Sequence, residues 1–506
     1  MNTSGEFQFD DVQGLIRYGH GKLTESCFLL LNIIDVDAAK LWLKTNRFTH
    51  AKQTKTAPVT AMQIAFSVHG LRVLGVNESV IQGFSDEFII GMSGDESRSR
   101  RLGDTGNNSP VSWEWGGDAA AAAHIILMLY AIPEGIENWR NSSVNNQFQK
   151  AFQILKELPT NDIVDREPFG FKDGISQPVI DWRQQQTTDQ HQRDHYSNRL
   201  AVGEVVLGYP NEYGLYTERP LINPKQDVFA ATLPDAEEQP ELKDLGRNGS
   251  YLIIRQLAQD VPGFWKFLDK VSNSGPEREQ LAAAMVGRER DGTPLVARTT
   301  EPIPGIPSTD SVNHFTYDFD SKGHHCPIGA HVRRSNPRTG DLPPRITGSI
   351  SRLMKKLGFG KGPDEDLVAA TRFHRLLRRG RAYGPVLNPE EAIQSDTDVA
   401  ERGLQFICLS ANILRQFEFI QNAWSINTQF NGLRLETDPL LGNRGPLKSG
   451  KATDSFSRPD PTGPTQKTCH LPQFVTVRGG GYFFLPGLRA IKYIASIPAP
   501  GVIDHD

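Results

Sequence analysis

Strand-like apolar runs followed by amphipathic helix signals recur along this chain, and that rhythm limits its fold more than any other feature. From Cys27 the run CFLLLNII precedes DVDAAKLWLKTN, where Ala39, Leu41, Trp42 and Leu43 mark a helix opened by Asp35 or Asp37. TAMQIAFSVHGLRVLGV again reads as strand then helix. AHIILMLYAI is a third strand, and NNQFQKAFQILKEL after it reads as a further helix. The order β-α-β-α-β-α predicts an α+β arrangement with helices over one face of a sheet.

The rhythm returns in the second half. GSYLIIRQL is a strand, VPGFWKFLDKVSN a helix that Pro262 can start, and REQLAAAMVG another helix. RLLRRGRAYG and GLQFICLSA read as strands. NILRQFEFIQNAWSINTQF reads as a long helix with Ile413, Phe417, Ile420 and Trp424 on one face. FVTVRGGGYFFLPGL, with a bend expected at GGG, can add a late strand to either sheet. Between the halves lies a stretch rich in Gln, Asp, Pro and Asn, too long for an ordinary loop unless it is functional or disordered. We therefore expect one module over 1–165, a connecting segment over 166–248 and a second module over 249–506.

A chain of 506 residues, 38% hydrophobic and 23% charged, with 46 Gly and 33 Pro, suits a folded, loop-rich protein of two modules. Its net charge of −4 gives no general attraction to nucleic acid or to an anionic membrane, and the basic clusters RSRR and RLLRRGR are local. Four cysteines, Cys27, Cys326, Cys408 and Cys469, form no CxxC pair, which argues against a zinc site or a disulfide framework. The acids near the N-terminus do not suit a secretory signal, and the longest apolar run, AAAAAHIILMLYAI, is too short to span a bilayer. These features predict a soluble cytoplasmic protein, and leave monomer and dimer both open.

Three windows draw attention for chemistry. In PFGFKDGISQP, Asp173 stands between glycines; read alone, this is a surface Asp-Gly turn. In GHHCPIGAHVRRSNPR, His331 has an apolar approach and two following arginines, a setting that suits an axial haem ligand but equally a structural histidine. In FHRLLRRGRAYG, strand alternation turns either Arg378 or Arg379 inward, where a guanidinium needs a partner or a developing negative charge.

Taken together, and in this order, the three windows closely resemble signatures of the dye-decolorizing peroxidases. DDVQGLIRYGHG, GSYLIIRQLAQDVPGFW, GLQFICLSANILRQFEFIQ and RGGGYFFLPG are similar to family segments too, so the resemblance covers nearly the whole chain. It implies two ferredoxin-like modules, each an antiparallel sheet with helices on one face, and haem b in the C-terminal one. It implies an enzyme that uses hydrogen peroxide to oxidise bulky aromatic donors, including phenolic and anthraquinone-type dyes, in one-electron steps through an oxoferryl intermediate. Matched by position, the proximal ligand is His331, the proton shuttle Asp173 and the charge stabiliser Arg378. Gly170 and Gly174 would let the backbone approach the macrocycle, and Leu404 and Phe406 would form an apolar distal wall. Glu418 is the expected carboxylate partner of His331, and Arg333, favoured over Arg334, would pair with a haem propionate. Tyr383 resembles a position used for surface radical transfer.

One departure stands out: relative to the family, SISRLMKKLGFGKGPDEDLVAATRF reads as an insertion between His331 and Arg378. Two other readings compete. A haem carrier or storage protein would keep His331 but has no need of Asp173 and Arg378, and a metal hydrolase lacks any HExxH-like cluster.

Overall fold

A computed structural model describes residues 7–118, 122–161, 165–184, 198–296, 312–313, 315–338, 373–395 and 400–499. The insertion read at 348–372 lies outside these residues. Among the described residues nine strands form the main sheet: β1 (Glu25–Ile33), β2 (Thr60–Phe66), β3 (Ile125–Ala131), β4 (Phe152–Pro159), β5 (Ser250–Gln259), β6 (Leu377–Arg378), β7 (Arg381–Tyr383), β8 (Gly403–Ser410) and β9 (Val475–Leu485). Their order is β6-β8-β5-β9-β2-β3-β1-β4, with β7 also on β8, and the pairings are antiparallel. Each half has the ferredoxin-like order 4-1-3-2 in its own strands. The halves meet where Phe484 of β9 pairs with Phe66 of β2.

The apolar strands are explained by burial on both faces. In β1, Phe28 and Leu30 join an inner core with Met128, Tyr130, Leu252, Ile254, Ile407, Leu409 and Phe483, drawn from both halves. The alternate residues Cys27, Leu29 and Leu31 pack outward with Trp42 and Phe148. Trp42 belongs to helix α1 (Val36–Thr45), whose N-terminus Asp35 caps by accepting from the Ala38 N–H. Trp42 is fully buried, with Phe48, Phe148 and Phe152 rings around it.

Three readings need correction. NNQFQKAFQILKEL is not one helix: α2 (Asn146–Ala151) stops where β4 begins, because pairing with β1 overrides a helical apolar spacing. The expected helix after β8 is π-helical over Leu414–Glu418 and Ile420–Ser425, with i→i+5 bonds such as Glu418 N–H to Ile413 O. GGG is no bend but the middle of β9, and this strand joins both half-sheets rather than one. A Cβ on Gly479 would collide with the Trp115 indole, so glycine is what lets the two pack.

In the second half, helix α3 (Val261–Val271) is capped by Asp260 with Pro262 in its first turn, and α4 (Gly275–Val286) is capped by Ser274. Among the described residues no helix is long and apolar enough to cross a membrane. The four cysteines are unpaired.

Candidate active site

Strand alternation builds the site. On β5, Leu252 and Ile254 face the inner core while Arg255, Leu257 and Gln259 face the other way; on β8, Ile407 and Leu409 face inward while Leu404 and Phe406 do not. On β6, Leu377 takes the core and leaves Arg378 outside it. A bulge between Val477 and Gly479 shifts the register of β9, so that Val475 and Val477 join the outer set while Phe483 and Leu485 remain in the core. These outer residues border one cavity, which holds about 1900 Å³ of atom-free space with its open mouth included.

Asp173, Arg378 and His331 all line it. Arg378 Nη1 donates to Asp173 Oδ1 at 2.9 Å, and the two side chains are 31% and 40% exposed, an exposure that opens onto the cavity. Burial works to raise the Asp173 carboxyl, but Arg378, the Gly174 N–H and His331 outweigh it and hold it below the ordinary carboxylate value. Gly174 has φ +77°, a left-handed backbone conformation that favours glycine.

His331 opens a short helix, α5 (His331–Ser335), preceded by Pro-Ile-Gly-Ala. Its Nδ1 lies 2.9 Å from Asp438 Oδ2. Asp438 is completely buried, and its Oδ1 accepts from the N–H groups of Leu440 and Leu441. Burial pushes the Asp438 carboxyl up, yet the imidazole, its hydrogen bond and the Leu441 N–H together hold it down. An ionised carboxylate obliges Nδ1 to donate, which leaves the lone pair on Nε2.

Glu418 therefore does not partner His331. It is buried in a different network, 2.8 Å from Arg98 Nε and accepting from the Tyr482 hydroxyl at 2.9 Å. Arg333 is also redirected. Residues 331–335 are helical, and Arg333 turns to Asp320 and to the Cys326 carbonyl, away from the cavity. Arg334 is held by the carbonyls of Trp424 and Glu436. Leu404 and Phe406 do face the cavity. Tyr383 is buried, 6% exposed, with its hydroxyl donating to Glu401, so it is not a surface site; pairing of β7 with β8 puts Gly403 opposite it.

Sequence reasoning missed Asp438 and Arg288. Asp438 stands 107 residues from His331, and no local pattern links them. Arg288, after α4, is 3% exposed at the cavity wall and spends its hydrogen bonds on the Gly292 and Val312 carbonyls, Ser176 and Asn313. Burial lowers its guanidinium to about 10. A buried cation bonded to neutral groups suits a ligand carboxylate.

An iron porphyrin fits this donor set: one imidazole with a free Nε2, a large and mostly apolar wall, and a buried arginine. Residues 11–161 match the family model described as the DyP dimeric alpha+beta barrel domain. Peroxidase 2 of Mycetinis scorodonius is 30% identical over 520 residues, an alignment spanning 96% of this chain and 87% of that protein. The chain belongs to the dye-decolorizing peroxidase family. Dye-decolorizing peroxidase AauDyP1 of Auricularia auricula-judae is 27% identical across 95% of this chain and 86% of its own length. The crystal structure of a fungal DyP-type peroxidase from Auricularia auricula-judae superposes with a TM-score of 0.70 at 26% identity, covering 97% of this family member and 99% of that chain.

Proposed function

We propose that in this haem peroxidase His331 would hold the iron through Nε2 while Asp173 and Arg378 handle hydrogen peroxide in the same cavity. The reading rests on one observation above all: the Asp173–Arg378 pair and the Asp438-bound His331 border the same cavity. The group expected there is haem b, with Arg288 taking a propionate in place of Arg333. When bound, it would store the two oxidising equivalents delivered by hydrogen peroxide and pass them to organic donors one electron at a time.

Asp173, ionised, accepts the proton of one peroxide oxygen and returns it to the other, so that the second oxygen leaves as water. Arg378 stabilises the negative charge that gathers on the departing oxygen. It also keeps Asp173 ionised. Leu404 and Phe406 keep bulk water from the reacting oxygens. Asp438 fixes the imidazole tautomer and makes the ligand more electron-rich. A haem carrier needs none of the Asp173–Arg378 machinery.

Donors are bulky aromatic compounds, phenolic and anthraquinone-type dyes among them. The same reading assigns an N-terminal module to 1–165, a connecting segment with the distal motif to 166–248 and the haem-binding module to 249–506. Four unpaired cysteines support a reducing, cytoplasmic setting.

The test is rapid mixing of the haem-loaded enzyme with hydrogen peroxide. Asp173→Asn keeps the shape but cannot accept the proton, and the second-order rate should fall by about 10²-fold or more. A parent-like rate in that variant would remove Asp173 from the chemistry.

A further inference from the structure

We propose that Glu167 is a positioning residue for Asp173, clasping the hairpin that carries it. This rests on the role given to Asp173 above. The segment from Asp165 to Asp173 closes on itself: Asp173 N–H donates to the Asp165 carbonyl at 2.9 Å, and Glu167 N–H to the Phe171 carbonyl at 2.9 Å. Gly170, at φ +99°, makes the reversal. The Glu167 side chain ties the tip. Its Oε1 accepts from the Phe171 N–H at 2.9 Å, and its Oε2 accepts from the Phe169 N–H at 3.0 Å and from Gln259 Nε2 at 2.8 Å.

Those three bonds join two parts of the cavity wall. Phe169 and Phe171 belong to the hairpin, and Gln259 ends β5 next to Leu257, which also borders the cavity. The outer rim of the hairpin is tied as well: Trp265 Nε1 donates to the Phe169 carbonyl and Lys172 N–H to the Arg290 carbonyl. Glu167 links the hairpin's tip to the strand that floors the site through a side chain serving three donors. A carboxylate is the group these donors need, because all three offer hydrogens. A glutamine of the same shape keeps one acceptor oxygen and turns its NH₂ toward a donor. Burial raises the Glu167 carboxyl to about 7, opposed by the Phe171 N–H, Gln259 and the Phe169 N–H, while the charge of Asp173 adds to the rise.

Glu167 borders the cavity too, but its carboxylate oxygens are taken by the hairpin and β5, so it aims the acid that handles the peroxide. The test uses the haem-loaded enzyme and separates the two halves of the catalytic cycle. Glu167→Gln should lower the second-order rate with hydrogen peroxide by about 10- to 100-fold, the scale of loss expected from a small misplacement of a catalytic group. Haem content and the rate at which the peroxide-oxidised enzyme consumes an anthraquinone dye should stay at the parent values. In an Asp173→Asn background, Glu167→Gln should cost nothing more, because a positioning residue acts through the group it positions.

A parent-like peroxide rate in Glu167→Gln overturns the inference, and so does a further loss in the double variant. Should Glu167→Gln fail to fold, Gln259→Ala removes one donor from the strand side and should slow the peroxide step alone, by severalfold; no slowing overturns the inference. Asp173→Asn by itself reports on the underlying role of the acid, so a failure there is distinct from a failure of the clasp.

Discussion

The two halves of this molecule share one strand order and one inner core, yet among the described residues the reactive cavity lies against the sheet of the second half. On the outer face of the first half, β1 meets α1 and α2, and Trp42, Phe48, Phe148 and Phe152 fill the space. On the corresponding face of the second half, β5, β6, β8 and β9 present Leu257, Arg378, Leu404, Phe406 and Val475 to an open cavity. The difference lies in what covers the sheet. Large aromatic rings turn one ferredoxin-like face into core, while a charged hairpin and a short histidine-bearing helix turn the other into a site.

This contrast is open to attack from both sides. The largest effect on stability belongs to the filled half: Trp42→Ala should cost about 3–5 kcal/mol in denaturant unfolding, and leave the peroxide rate per haem unchanged. A change in that rate would mean the halves are not separable. In the open half, Arg378→Leu should cost about 10²–10³ in the peroxide rate at neutral pH, read by rapid mixing. Its pH dependence has a definite sign. Asp173 works as a carboxylate, Arg378 helps to hold its carboxyl below the ordinary value, and so the parent keeps its rate as pH falls into the acid range. Without the guanidinium the carboxyl rises, and the acid limb of the profile should move to higher pH.

Below these comes Asp438→Asn, which should weaken haem retention by about 10- to 100-fold in a transfer assay to apomyoglobin, since the imidazole loses the acceptor that orients it. Glu418→Gln should leave haem retention at the parent value, because Glu418 belongs with Arg98 and Tyr482. The smallest effect is Leu404→Ala. Leu404 is only half-buried, so the stability read from unfolding should fall by no more than about 1 kcal/mol, far less than for Trp42→Ala.

Much of this was legible in the chain, for physical reasons that differ by residue. Apolar runs such as CFLLLNII and GSYLIIRQL reveal strands because both of their faces are buried. Alternation on RLLRR leaves Arg378 and Arg379 both open and the resemblance chooses Arg378; in the fold Leu377 enters the core and Arg378 borders the cavity. β4 was hidden because Phe148, Ala151, Phe152 and Leu155 recur at a helical spacing, and only the partner strand β1 decides between the two. The partner of His331 was hidden for a different reason. Glu418 and Asp438 are both acids in the second half, and choosing between them requires knowing that the π-helical turns carry Glu418 toward Arg98. Arg333 was misjudged because HVRRS forms a helical turn that aims its guanidinium at Asp320.

The most direct test of the account asks whether the imidazole at 331 is the one bond from protein to iron. His331→Gly, loaded with haem, should lose the absorption and paramagnetic resonance signature of a histidine-ligated ferric centre, and added imidazole should restore it. A His331→Gly protein whose spectra match the parent without added imidazole would contradict the account.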